Sequence, residues 1–483
     1  MNGPTHDHSH AFGGLRARER EGLVVASRRG MLKASLAGLA GLSLPDLLRL
    51  RSAATAAGVR APGARAVILL WMAGGPSQID TWDPKPDRPL ENRGPFGTVA
   101  TRIPGVRICE HLPRQAAMLD KFTIIRSVDA RHSNHEPNKV IQTANLDAEP
   151  RVSPSKDLYP AIGSIVAKHH GANVQGIPAY VAFQTSRTHV AHAGYLGKQY
   201  DPFIANQACK LPMVDYVGKE IGKTSPAGFF QLPDGVTQRR LGSRRALLED
   251  LDSLRAKLEH SPDVAAMDRY GREAIDLLVG PQAREAFDLE REPQAVRDRY
   301  GKHVWHQQAL LARRLVEAGA AFVTLDLSYH PASGTWDNHG DNIPPYGGIG
   351  KGLGPLLPIF DHLITTLVSD LDERGMLDDV LVIAMGEFGR TPMMGTQGST
   401  DGRNHWNAVM SMCLAGGGMR HGQVIGATQS DGGYIKDRPV TPADLAATIY
   451  RHMGVPLDAT YRDADGRDRF IVTDGGEPIA ELF

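Results

Sequence analysis

"ARAVILLWM", residues 64–72, is a nine-residue stretch whose core is apolar without interruption. An amphipathic strand alternates, and a surface helix repeats every three to four residues. A short continuous apolar run is what a strand buried on both faces of a parallel sheet requires. The same pattern returns in "KFTIIRSV" (121–128), "IPAYVAF" (177–183), "AAFVTLDL" (320–327), "DDVLVIAM" (378–385) and "VMSMCLAG" (409–416). Helical patterns lie between them: "PNKVIQTAN", "YPAIGSIVAKHHG", "SRRALLEDLDSLRAKLEH", "HVWHQQALLARRLVEAG" and "PLLPIFDHLITTLVSDLDERG". In the last of these, Gly375 is the expected C-terminal stop. Alternating strands and helices predict an α/β fold, a mostly parallel sheet with helices on both faces.

The first 60 of the chain's 483 residues read differently from the rest. Around residue 27, "SRRGMLKASLAGLAGLSLPDLL" places Arg28 and Arg29 ahead of a short, mildly apolar run. It resembles a twin-arginine export signal, and "SAATAAGVRA" follows with small residues suited to a signal peptidase. The run from Ala34 to Pro45 is too short to span a bilayer, which takes roughly 20 residues. Residues 1–60 are therefore expected to be an export signal and linker, and residues 61–483 the folded domain. The stretch near 240–300 has no strand pattern and reads as a helical insertion. The expected location is the periplasm or cell envelope, with no membrane span in the mature chain.

Lys plus Arg and Asp plus Glu both number 54, so the formal net charge is zero. That excludes bulk electrostatic binding to nucleic acid. Three distant cysteines make neither a paired framework nor a CxxC site.

In open α/β sheets, sites form beyond the carboxyl ends of the strands. The loops there are rich in chemistry. The first strand is followed by Gly74, Gly75, Asp80 and Asp83. The second is followed by His132, Ser133, His135 and Glu136, just ahead of an expected helix. "TLDLSYHPASGTWDNHGDN" (324–342) carries His330, Asp337 and His339. "GEFGRTP" (386–392) supplies Glu387 and Arg390, and "GRNHWN" (402–407) supplies His405. Each alone is ordinary, since an Asp in a Gly-rich loop is usually a turn former. Together they place many carboxylates on one rim without an interleaved set of Lys and Arg. Buried unpaired carboxylates cost several kcal/mol each, and divalent metal is an economical counter-charge. His with carboxylate suits zinc, manganese or iron, whereas calcium prefers oxygen alone.

At these residues the chain resembles the DUF1501 family of exported bacterial proteins. The marks are "LLWMAGGPSQIDTWDPKP", "GVRICEHLPRQAAMLDKFTIIRSV", "GYLGKQYDPF", "TWDNHGDN", "VLVIAMGEFGRTP" and "GRNHWN", in order from about residue 65 to 455. That family looks like a branch of the alkaline phosphatase–sulfatase superfamily. The resemblance implies an alkaline phosphatase-like core and a metal-dependent hydrolase of phosphate or sulfate esters. The metal would be zinc, manganese or calcium. The implied ligands are Asp337, His339, Glu387 and His405, with Asp80 reaching back from its loop. Ser133 would be the nucleophile; His132, His135, Glu136 and Arg390 would serve as base or anion-binding groups. The substrate would be a small anionic ester or a sulfated or phosphorylated polymer. The first strand departs from the superfamily, ending in Met72-Ala73-Gly74 where an Asp is usual. A non-catalytic binding or scaffold protein on the same fold is the alternative.

Overall fold

The structure is a computed structural model that describes residues 63–133, 135, 139–148, 158–225, 281–340, 346–395 and 399–483. The expected export signal and most of the stretch near 240–300 lie outside the described residues. Of that stretch, the described part holds two short helices, Pro281–Phe287 and Gln294–Tyr300.

Eight strands make the central sheet: β1 (Ala66–Trp71), β2 (Phe122–Val128), β3 (Tyr180–Phe183), β4 (Phe203–Ile204), β5 (Phe322–Asp326), β6 (Val380–Met385), β7 (Met410–Gly416) and β8 (Gln423–Ile425). Six of them fall on the continuous apolar runs; β4 and β8 are short additions. Their order across the sheet is β8-β2-β7-β6-β1-β5-β3-β4. β1 lies at the centre, parallel to both β6 and β5, with Ile68 opposite Val382 on one side and Val323 on the other. β3 and β4 continue parallel on one flank, and β8 pairs parallel with β2 on the other. Only β7 runs against its neighbours, β6 and β2. The sheet is thus mostly parallel, as expected.

Successive β1 residues face opposite sides, as strand geometry requires. Ile68, Leu70 and Met72 join a core with helices α2 (Val304–Ala318) and α3 (Gly354–Glu373). Val67, Leu69 and Trp71 join a second core with α1 (Ile162–His169) and α4 (Pro442–Met453). Both faces of the sheet are therefore covered, which is why its strands carry no polar face. The segment Ile349–Glu373 is the one described helix long and apolar enough to cross a membrane. Its apolar residues, among them Leu357, Phe360, Leu363, Ile364 and Leu367, are instead buried in the protein's own core.

Six of the eight strands are parallel to β1, so seven carboxyl ends meet at one rim. Because β7 runs the other way, the segment entering it reaches that same rim. The sheet thereby brings residues before β7 to the loops that follow β2, β5 and β6.

Candidate metal centre

Four loops converge there. His135 follows β2, Asp337 and His339 follow β5, and Glu387 and Arg390 follow β6. His405 precedes β7 on a two-residue ribbon in which Gly389–Arg390 pairs with His405–Trp406, Arg390 opposite His405.

Asp337 sits at the middle and is buried. Its Oδ1 lies 2.8 Å from His339 Nε2, 3.4 Å from His405 Nε2 and 2.7 Å from Arg390 Nη2. Its Oδ2 accepts a hydrogen bond from the Ser333 hydroxyl and lies 3.3 Å from His135 Nε2. The Nε2 atoms of His135 and His405 are 2.7 Å apart. One ligand atom from each of His135, Asp337, His339 and His405 lies within 4.8 Å of the others. Burial opposes the Asp337 charge, but Arg390 and the three imidazoles hold its carboxyl well below the usual carboxylate range. His405 is pushed down to about 4, by burial first and then by Arg390 and His135. His135 is raised: burial works against its charge, but Asp337 and Glu387 outweigh it.

Convergent imidazole lone pairs around an ionised carboxylate are the donor set of a transition-metal ion. Buried atoms without partners point the same way. Among the described residues, His339 Nδ1 and Glu387 Oε2 have no hydrogen-bond partner, and an unsatisfied buried polar group costs roughly 1–3 kcal/mol. The residues therefore fit a zinc-like divalent ion.

Glu387, expected as a ligand, stands outside the four-residue set. Its Oε1 lies 2.7 Å from His135 Nδ1 and accepts the Gly74 N–H at 2.8 Å. A carboxylate on Nδ1 fixes a histidine's tautomer and leaves Nε2 free for an ion. Glu387 thus orients His135, whose Nε2 would be the donor to an ion. Gly74 permits this at a φ of +117°, where an added Cβ would collide with the backbone of Trp336 and Asp337.

Asp80 is placed differently from the expectation. It is buried, but its Oδ2 accepts from Arg403 Nε at 2.6 Å and from Ser77 Oγ at 2.5 Å. The Arg403 guanidinium, absent from the sequence reading, supplies the counter-charge expected from an ion. Arg390 is no open anion fork either. It is fully buried, and besides Asp337 it donates to the carbonyls of Gly74, Gly75 and Arg403. Ser133 is buried, and its Oγ has no hydrogen-bond partner among the described residues. The first described helical residue after Ser133 is Lys139, and residues 136–138 before it lie outside the described residues. His132 is exposed with a left-handed φ of +68°, a conformation uncommon for a non-glycine residue and concentrated at functional sites. Glu136 lies outside the described residues.

A second group of buried polar residues at this rim also escaped the sequence reading. Asp326 ends β5 and pairs with His189 Nδ1 at 2.9 Å, while His189 Nε2 lies 2.7 Å from the Ala332 carbonyl. Among the described residues, neither ring nitrogen of the buried His330 has a hydrogen-bond partner.

Among solved structures the chain is similar to Ps i-CgsB in complex with k-i-k-neocarrahexaose, at 10% identity and a TM-score of 0.38, covering 82% of this chain and 73% of that one. It is similar to the PsFucS1 sulfatase from Pseudoalteromonas sp. at 14% identity and a TM-score of 0.37, covering 89% and 77%. The C-terminal periplasmic domain of EcEptC from Escherichia coli, in complex with Zn, gives 11% identity and a TM-score of 0.33, covering 86% and 87%. These scores are too low to argue from. No curated protein sequence matches the chain. The family model described as protein of unknown function (DUF1501) matches residues 64–483. With that match spanning nearly all of the chain beyond its first 63 residues, the protein belongs to the DUF1501 family.

Proposed function

We propose that the protein is an exported, metal-dependent hydrolase of phosphate or sulfate esters. The observation that carries this reading is the convergence of His135, Asp337, His339 and His405 from three separate segments of the chain. Three imidazoles and one carboxylate favour zinc or manganese over calcium. Such an ion would polarise an ester oxygen and stabilise developing negative charge. With the imidazoles neutral, Asp337, Glu387 and Arg390 leave one net negative charge, which a dication reverses. The loaded site would then favour an anionic ester, free or on a sulfated or phosphorylated polymer. Ser133 is the nucleophile this reading assigns. Among the described residues its buried Oγ has no hydrogen-bond partner, two residues from His135, and the ion or a histidine beside it would activate the hydroxyl. A new Oγ–phosphorus or Oγ–sulfur bond would form as the ester bond breaks, and the proton lost from Oγ would pass to the leaving oxygen. Water then releases the anion and restores the serine.

The test is metal analysis of the native protein, followed by aryl phosphate, phosphodiester and aryl sulfate assays. Bound ion should fall in His339→Ala and His405→Ala. Turnover should vanish in Ser133→Ala while the ion stays. A native protein without stoichiometric metal overturns the reading. Export is proposed from Arg28 and Arg29; changing both to Lys should strand the precursor in the cytoplasm, and normal export of that variant refutes it. One observation favours a non-catalytic binding protein: Arg390 is spent on Asp337 and backbone carbonyls rather than left for a substrate anion. Tight metal binding with no turnover on the whole panel would select that second reading.

A further inference from the structure

Arg403 presents no surface, and its side chain is fully buried. A guanidinium has five N–H donors, and here all five have acceptors. Nε donates to Asp80 Oδ2 at 2.6 Å. Nη1 donates to the carbonyls of Thr391 at 3.0 Å and Pro392 at 2.6 Å. Nη2 donates to the Asn92 carbonyl at 2.7 Å and reaches Asp80 Oδ1 at 3.4 Å. None remains for a ligand, so Arg403 does not touch substrate.

Its backbone, however, lies at the junction of the candidate centre. The Arg403 N–H donates to the Asn338 carbonyl at 3.0 Å, between Asp337 and His339. The Arg403 carbonyl accepts from Arg390 Nη1 at 3.2 Å, and the same guanidinium holds Asp337 Oδ1 at 2.7 Å. The preceding residue, Gly402, packs its backbone against the His339 carbonyl with no room for a Cβ. His405 follows two residues later.

We propose that Arg403, anchored by Asp80, is a positioning residue for the His135–Asp337–His339–His405 centre. It sets the loop carrying Asp337 and His339 against the ribbon carrying His405, and ties both to the loop after β1. The proposal rests on the reading of that centre as a metal site. The energetics fit a positional role better than a stabilising one. Burying two charges costs several kcal/mol per ion, and a well-packed apolar pair is often as stable. What an apolar pair lacks is direction: it cannot hold the Thr391, Pro392 and Asn92 carbonyls at fixed angles to Asp80.

Zinc alone is the probe, titrated into the full chain against a competing chelator, with thermal melts of the metal-free protein beside it. Lysine keeps the charge but offers three donors in place of a planar fork. Arg403→Lys is expected to weaken zinc binding at least tenfold, within the range seen when groups supporting metal ligands are lost. Asp80→Asn, nearly the same shape, should do the same and serves if the lysine variant fails to fold. Glu292→Gln is the control. Glu292 pairs at 2.7 Å with the fully buried Arg313 and has no contact with the centre's residues. It should lower the melting temperature and leave zinc affinity unchanged. The proposal is overturned if Arg403→Lys and Asp80→Asn bind zinc like the native chain, or if Glu292→Gln weakens zinc as much as they do. A native chain that binds no zinc fails at the earlier step and overturns the metal reading with it.

Discussion

Glu387 and Asp80 are both buried carboxylates in loops that follow neighbouring strands, and their surroundings give them different work. Glu387 faces His135, while Asp80 faces Arg403, a partner 323 residues away in the chain. From sequence the two look alike, because a carboxylate in a loop after a strand reads the same whether it meets an ion, an imidazole or a guanidinium. The residue types at the rim were legible for a simple reason: unpaired buried charge is costly, so their crowding demanded a partner. Which partner each one found depends on contacts across the sheet. Glu387→Gln tests the assignment at this scale. The amide keeps the size and an oxygen for the Gly74 N–H, but it loses the charge facing His135 Nδ1. Metal affinity should fall roughly 10–100-fold, the usual result of losing a group that orients a metal-bound histidine. Chelator competition measures it, and an affinity equal to the native value would return Glu387 to a merely structural role.

At the scale of elements, the strands were readable because both faces of the sheet are covered. β1 and β6 are buried at every position, so their sequences are apolar throughout. The same uniformity hid the direction of β7, since a run with no polar face reads alike whichever way it points. That direction matters, because only an antiparallel β7 brings His405 to the rim. The ribbon bearing His405 and Arg390 was hidden for another reason: two residues per strand leave no periodicity to detect. α4 did carry signals. Thr441 and Asp444 form a reciprocal capping box, Pro442 opens the helix and Gly454 closes it in the left-handed conformation. For α3, Gly375 follows the last turn at a φ of +65°, which matches the stop read from sequence. Helix ends are written locally and strand neighbours are not, so the cap signals could be read and the sheet order could not.

Over the whole molecule, buried histidines set how stability responds to pH. His303 is pushed down to about 3, by burial first and then by His306. His306 is pushed down to about 4, by burial first and then by His362 and Arg114. His452 is also lowered to about 4, by burial first and then by Arg65, and its Nε2 lies 3.0 Å from the Ala66 carbonyl. An unfolded imidazole titrates near 6.5. Between about pH 6.5 and 4, the unfolded chain therefore binds protons at these positions that the folded chain refuses, and stability falls as pH falls. Each group contributes on the order of 3–4 kcal/mol to that loss once pH reaches its folded value. His189 works in the opposite direction. Burial disfavours its charge, but Asp326 and the Ala332 carbonyl raise it to about 9. Its contribution is complete below about pH 6.5 and disappears as pH rises through 9. Stability of the metal-free protein should therefore peak near neutrality, with the steeper limb on the acid side, where His330 and His405, also lowered to about 4, act with these three against the raised His189 and His135. Calorimetric melts from pH 4 to 9.5 measure the profile. His452→Gln, which retains a donor for the Ala66 carbonyl, should make the acid limb shallower and leave the alkaline limb in place. His189→Gln should lower the whole curve and flatten its alkaline side. An acid limb unchanged by His452→Gln would assign that loss of stability to carboxylates instead.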